Sequence, residues 1–127
     1  MAFNFEFHHM GIPTNEVKPG ERYSEKFKMY TTDSISDKYR VQFHRFAKDS
    51  PIHPLIKTMP HIAYKVSDIC EAIAEEEVIL DLYEPFSGFK VAMIAKNGVP
   101  IEFIETTLSE DEVWDTNKHK NSILYKN

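Results

Sequence analysis

The sequence predicts an α+β fold made of two similar halves, each with the element order β-α-β-β-β. Three observations support this prediction: a short pattern that occurs twice, alternation of apolar and polar residues in several segments, and an Asn-Gly pair between two apolar runs. The 127 residues suit one domain, because independent domains usually have about 100 to 200 residues.

The repeat relates residues 9–17 (HMGIPTNEV) to residues 61–69 (HIAYKVSDI). Each segment begins with a histidine and has a small residue two positions later. Each ends with two polar residues followed by an aliphatic residue. Val-Gln-Phe at 41–43 and Ile-Glu-Phe at 101–103 form a second matching pair. We therefore expect one domain over residues 1–107 with two modules, at about 3–50 and 58–107, followed by a C-terminal tail over 108–127.

Residues 3–13 begin the first half with the alternation of a strand, which places Phe5, Phe7, His9 and Gly11 on one face and His8 on the other. Pro19-Gly20 leaves room only for a short helix at about 20–27. The other elements expected in this half are strands at 28–34 and 38–46 and a proline-rich linker at 47–59.

The second half is clearer. A strand at 60–66 is followed by Ser67 and Asp68, which are good N-cap residues for a helix over about 68–77. Apolar runs at 78–85, 89–95 and 100–105 predict three further strands. Asn97-Gly98 favours a type I′ hairpin between the last two, which places Glu102 opposite Met93.

Charge and composition exclude several classes of protein. The formal net charge is −5, and no cluster of Lys and Arg forms a phosphate-binding stripe, so we expect no nucleic-acid partner. No apolar run approaches the roughly 20 residues of a membrane helix, so no membrane partner is expected. The single cysteine, Cys70, cannot form an intramolecular disulfide; we expect it to be buried and the protein to be cytoplasmic.

Each half offers one histidine on a strand and one oxygen ligand on a later strand. The first half supplies His9 and Gln42, and the second supplies His61 and Glu102. Glu102 shares its predicted face with apolar residues, where a carboxylate is costly unless a cation or hydrogen bonds compensate it. Two imidazoles, an amide oxygen and a carboxylate suit one divalent ion, which leaves zinc, nickel, cobalt, manganese and iron open.

Three segments carry a resemblance to a known family: FHHMGIP, PHIAYKVSDI and NGVPIEFIE, with VQF as a weaker fourth. Together they resemble the vicinal oxygen chelate superfamily, which includes glyoxalase I, methylmalonyl-CoA epimerase, extradiol dioxygenases and bleomycin-resistance proteins. The resemblance implies a glyoxalase-like fold, in which paired βαβββ modules form a curved mixed β-sheet cup around one metal ion. It also implies a homodimer and places the ligands at His9, Gln42, His61 and Glu102.

Our leading functional hypothesis is a metal-dependent isomerase or lyase that chelates a small-molecule substrate through two adjacent oxygens. The ion would stabilise the enolate formed when a neighbouring C–H loses its proton. Glu102 and His44 are the candidate catalytic residues for this proton transfer. His44, two residues from Gln42, is also an alternative fourth ligand.

Two other functions remain open. His9, His61 and Glu102 alone form a set of two histidines and one carboxylate, which suits an Fe(II) extradiol-type dioxygenase. A non-catalytic small-molecule binding or resistance protein would instead use an aromatic cup, for which Phe5, Phe7 and Phe46 are the expected lining residues.

Overall fold

The computed structural model describes residues 5–34 and 40–108. Within these residues the elements are β1 (Phe5–Pro13), β2 (Arg22–Ser24), β3 (Met29–Ser34), β4 (Val41–Phe46), α1 (Pro54–Thr58), β5 (His61–Val66), α2 (Ile69–Ile73), β6 (Glu77–Phe86), β7 (Phe89–Lys96) and β8 (Val99–Thr106). The predicted tail after residue 108 lies outside the described residues.

The strands form one curved, mixed sheet in the order β2-β3-β4-β1-β5-β8-β7-β6. The two halves of the chain meet at its centre, where β1 pairs with β5 in the antiparallel direction. On either side of this pair the arrangement is the same, because β1 runs parallel to β4 and β5 runs parallel to β8. The α+β fold class predicted from the repeat is therefore confirmed.

The second half follows the sequence prediction closely. Asn97 and Gly98 both have positive φ angles, as a type I′ turn requires, and the resulting register pairs Met93 with Glu102. Asp68 is the N-cap of α2, and its side chain accepts a hydrogen bond from the backbone N–H of Glu71. The helix ends earlier than predicted, because Glu75 adopts a positive φ and β6 begins at Glu77.

The helix predicted at 20–27 is wrong. Residues 22–24 form β2, and residues 25–28 make a turn that leads into β3. Ser24 Oγ accepts a hydrogen bond from the backbone N–H of Phe27, and Lys28 adopts a positive φ, so the turn is closed locally. A helix appears instead in the predicted linker, where α1 begins with Pro54 in its first turn and His53 as its N-cap.

A β-bulge in β1 changes which side chains share a face. The register with β5 shifts between Phe7 and His9, so Phe7 pairs with Tyr64 whereas His9 pairs with Ala63. Phe5 and Phe7 consequently lie on the opposite face from His9 and are largely exposed. The prediction that they line the cup with His9 is therefore wrong. The expectation that His8 lies on the opposite face, as a surface or helix-packing residue, is wrong too, since His8 is buried with its Nδ1 2.8 Å from that of His9.

The sheet has two faces that differ in what covers them. We call the face that carries His9, Ala63 and Glu102 the site face; Met93 and Phe46 also lie on this side and pack in a cluster with Ile56 of α1. We call the other face, against which Ile69 of α2 packs, the helix face. Both faces thus contribute apolar burial, and the site face also holds the buried histidines.

Cys70 is exposed rather than buried, since it lies on the outer side of the short helix α2. Among the described residues no helix combines the length and the apolar character needed to cross a membrane.

Candidate metal centre

Three side chains of the predicted site come together on the site face. His61 Nε2 lies 2.9 Å from Glu102 Oε1, and His9 Nε2 lies 3.5 Å from the same oxygen. Within the described residues, His9, His61 and Glu102 form a group whose potential ligand atoms all lie within 4.8 Å of one another. One carboxylate oxygen therefore stands between two imidazole nitrogens contributed by different halves of the chain.

The strand register explains this convergence. Ala63 pairs with His9 on one side and with Glu102 on the other, so the three residues lie in one row across β1, β5 and β8. His61 lies two residues before Ala63 and shares its face. Because Ala63 is fully buried and has only a methyl side chain, the longer side chains of His9 and Glu102 can meet above it.

Gly11 makes room for the second histidine. It pairs with His61 across β1 and β5, and a Cβ built on Gly11 would lie 2.1 Å from His61 Cε1. Real Cβ atoms do not approach a ring atom so closely, so any larger residue at position 11 would displace the imidazole. The small residue at this position of the repeat thus leaves space for the imidazole of the neighbouring strand.

The environment keeps Glu102 ionised. Burial raises the pKa of this carboxyl, but the adjacent His9 and His61 side chains lower it by more. The pKa of Glu102 therefore lies well below its usual value. An anionic oxygen beside two imidazoles is the charge arrangement that a divalent cation requires.

Gln42 occupies the position in the first half that Glu102 occupies in the second. Gly11 pairs with Gln42 across β1 and β4, just as Ala63 pairs with Glu102 across β5 and β8. Gln42 therefore lies on the site face, in the same cross-strand row as Gly11 and His61. Its role as a ligand stays a prediction.

His44 lies on the same face, one step further along β4. Its ring stacks on that of His61, with 5.7 Å between centroids and 18° between planes. Its Nδ1 is 3.0 Å from Thr31 Oγ1 on the neighbouring strand β3. Burial and the adjacent His61 lower the pKa of His44 to about 3, so its imidazole is neutral at pH 7. Its predicted roles, in proton transfer or as an alternative ligand, stay predictions.

His8 is a further residue of the centre, and the sequence prediction missed it. The bulge brings it to the site face, where its Nδ1 lies 2.8 Å from His9 Nδ1. Its ring also contacts Phe89 edge-on, with 6.2 Å between centroids. The consecutive histidines were the only signal in the sequence, and strict alternation assigned them to opposite faces.

The residues present fit a divalent transition metal ion. Two imidazole nitrogens and one carboxylate oxygen converge from three strands, and this mixed N/O set is typical of zinc, iron, cobalt, nickel and manganese sites that keep positions for water or substrate. The described part of the chain therefore contains a group that could bind one metal ion, of unspecified identity.

Comparison with solved structures supports the fold. A hypothetical protein BH1468 from Bacillus halodurans C-125 superposes with a TM-score of 0.62 at 20% sequence identity, covering 86% of this chain and 98% of that chain. Methylmalonyl-CoA epimerase from Mycobacterium tuberculosis superposes with a TM-score of 0.58 at 16% identity, covering 81% of this chain and 89% of that chain. The sequence itself matches no family model and no curated protein. The chain thus has the glyoxalase-like α+β cup fold of these neighbours.

Proposed function

We propose that this protein is a metal-dependent enzyme of the isomerase or lyase type, which acts on a small substrate with two adjacent oxygens. The observation that carries the proposal is the convergence of His9, His61 and Glu102 within 4.8 Å on the site face. The structural similarity to a methylmalonyl-CoA epimerase supports it, because that enzyme shares the sheet on which these residues lie.

His9, His61 and Glu102 would hold the ion, with Gln42 as a fourth ligand. We favour Gln42 over His44 as this ligand because the register gives Gln42 the same place in its half that Glu102 has in the other. When bound, such an ion is a Lewis acid that withdraws electron density from the substrate oxygens and stabilises the charge of an enolate.

Proton transfer needs a base on the site face, and Glu102 and His44 are our candidates. Glu102 is ionised, and the carboxylate oxygen that does not bind the ion could accept a proton. His44 is neutral and fixed by its contacts with His61 and Thr31. Both groups have a lowered pKa, so basicity does not separate them. We assign Glu102 the larger part in proton abstraction because its carboxylate lies in the group that would hold the ion, where the substrate oxygens would bind.

Exchange of a substrate proton with solvent deuterium tests this proposal. Methylmalonyl-CoA is the first probe, followed by a panel of small 2-hydroxy and 2-oxo acids, each incubated in D2O with protein loaded with zinc, cobalt or manganese. We expect deuterium to enter at the carbon next to the carbonyl, and we expect a loss of at least about 100-fold in Glu102→Gln.

Glu105→Gln is the matched control, since Glu105 lies three residues along the same strand and points to α2, where it accepts a hydrogen bond from the backbone N–H of Ile69. It should exchange at the wild-type rate. Exchange at the wild-type rate in Glu102→Gln with metal still bound would contradict the role given to Glu102. Absence of exchange with every probe and metal would count against this class of reaction.

A second function has one specific observation in its favour. The compact group in the described residues is a set of two histidines and one carboxylate, which is the ligand set of many Fe(II) oxygenases. Catechol turnover by protein loaded with iron without oxygen, then exposed to air, tests this extradiol-type alternative. Ring cleavage under these conditions, together with no deuterium exchange, would replace the isomerase or lyase proposal.

A further inference from the structure

The buried pair His8 and His9 has a geometry that the proposed reaction does not use. Both rings are nearly inaccessible, with 2% and 3% of their surface exposed, and their Nδ1 atoms lie 2.8 Å apart. The rings meet edge to face, with 5.1 Å between centroids and 75° between planes. This distance is that of a hydrogen bond, so one Nδ1 carries the proton and the other accepts it.

The direction of this hydrogen bond decides whether His9 can bind a metal ion. A neutral imidazole carries one proton, on either Nδ1 or Nε2. If His9 donates from Nδ1, its Nε2 carries a lone pair instead of a proton, and Nε2 is the atom that lies 3.5 Å from Glu102 Oε1. If His9 accepts at Nδ1 instead, its Nε2 carries the proton and cannot be a ligand.

We propose that His8 is a positioning residue for the metal centre: its Nδ1 accepts the Nδ1–H of His9 and so keeps His9 Nε2 available as a ligand. The inference rests on the proposed metal site. Metal-binding histidines usually donate their second N–H to a fixed acceptor, which sets both the tautomer and the orientation of the ring.

The structure holds His8 in the place that this role requires. The β-bulge between Phe7 and His9 brings the two consecutive histidines to one side of the sheet, which regular alternation would prevent. Phe89 packs against the His8 ring and limits its rotation. The second half of the chain has no counterpart, because proline precedes His61.

Zinc affinity of three variants tests the proposal. His8→Leu has a similar volume but no acceptor, and we expect it to bind zinc about 10 to 100 times more weakly than the wild type. His8→Asn restores an acceptor near the Nδ1 position through its amide oxygen, and it should bind within a few-fold of wild type. Phe7→Leu, on the other face of the same strand, is the control and should bind zinc like the wild type.

Nitrogen NMR of the wild-type protein gives a readout that does not depend on how the variants fold. With histidines labelled with ¹⁵N and zinc bound, we expect the His9 proton on Nδ1 and an unprotonated, acceptor-type Nδ1 on His8. A proton on His9 Nε2 would overturn the proposal.

The outcomes separate this inference from the proposed function. Zinc bound equally well by the wild type and by folded His8→Leu would overturn the role of His8 and leave the metal centre intact. No binding of zinc, nickel, cobalt, manganese or iron by the wild type would overturn both.

Discussion

Gly11 is the residue through which the packing of the site can be tested most simply. A Cβ at this position would lie 2.1 Å from the His61 ring, so Gly11→Ala should push the imidazole away from Glu102. We expect zinc affinity to fall at least about tenfold and the free energy of unfolding to fall by about 1–3 kcal/mol, as for other overpacked positions. Zinc titration and urea unfolding measure the two effects.

Gly20→Ala is the matched control for this prediction. Gly20 has a positive φ, so alanine there is strained, but nothing lies within 4 Å of the added methyl. This variant should lose some stability and keep its zinc affinity. Unchanged zinc affinity in Gly11→Ala would show that His61 does not need the space that Gly11 provides.

His44 gives the metal-free protein a defined dependence on pH. Its pKa is about 3 in the folded state because of burial and the nearby His61, and about 6.5 in an unfolded chain. Between these values the unfolded state binds a proton that the folded state does not. The free energy of unfolding should therefore decrease as pH falls from about 6.5 towards 3, by up to about 1.4 kcal/mol per pH unit for this group.

Urea unfolding of chelator-treated protein at several pH values measures this contribution. His44→Gln removes the titrating ring, so its stability should change less steeply with pH over the same range. Equal slopes for the two proteins would mean that His44 is not held neutral by the fold.

The histidines show which side chains of the site could be placed from the sequence and which could not. His9, His61 and Glu102 were expected together because each half of the repeat offers one histidine and one oxygen ligand, and the structure brings these three together. His8 and the two exposed phenylalanines, Phe5 and Phe7, were assigned to the wrong faces. An extra residue in one strand reverses the alternation on one side of it, and no residue of β1 marks such a bulge in advance.

At the scale of elements, α2 is stabilised by two side chains at its N-terminus. Asp68 accepts the backbone N–H of Glu71, and Glu105 accepts that of Ile69 from strand β8. Each of Asp68→Ala and Glu105→Ala should lower the free energy of unfolding by about 1 kcal/mol, because each leaves a helix N–H without its acceptor.

Denaturant unfolding measures these losses. Zinc titration is the control: Asp68 and Glu105 both lie away from the site face, so the zinc affinity of the two variants should not change. Glu75→Ala, an exposed carboxylate after the helix, should leave stability nearly unchanged. A loss of zinc affinity in the cap variants as large as that in Gly11→Ala would show that α2 and the site are coupled.

The elements that local signals define were predicted best. The Asn97-Gly98 turn fixes its hairpin and its register, because both residues accept positive φ at low cost. The segment at 20–27 had no comparable signal. Its charged residues are compatible with a helix, and only the pairing of β2 with β3, which is a tertiary contact, decides against one.

At the scale of the whole molecule, the candidate site joins the two halves of the chain. His9 belongs to the first half, whereas His61 and Glu102 belong to the second, and β1 and β5 meet between them. A bound ion should therefore stabilise the whole sheet. With free zinc at about 100 times its dissociation constant, the free energy of unfolding should rise by about 2.7 kcal/mol.

Thermal unfolding with zinc and with a chelator measures this stabilisation. The wild type should melt at a higher temperature with zinc, whereas His61→Ala/Glu102→Ala should melt at the same temperature in both conditions. An equal shift in the double variant would place zinc binding elsewhere on the protein.

The repeat predicted two similar halves, and the structure shows the same register between the first and last strands of each half. A small-molecule substrate and a homodimer remain predictions, since neither the repeat nor the described surface determines them.

The most direct test of the account is the metal content of protein purified without chelators or a polyhistidine tag, measured beside the double variant His61→Ala/Glu102→Ala. We predict about one divalent ion per chain in the wild type and none in the variant, because the variant removes two of the three converging ligands. No ion in the wild type, even after zinc, nickel, cobalt, manganese and iron are supplied in turn, would contradict the metal centre. The fold would then serve a protein that binds its ligand without a metal.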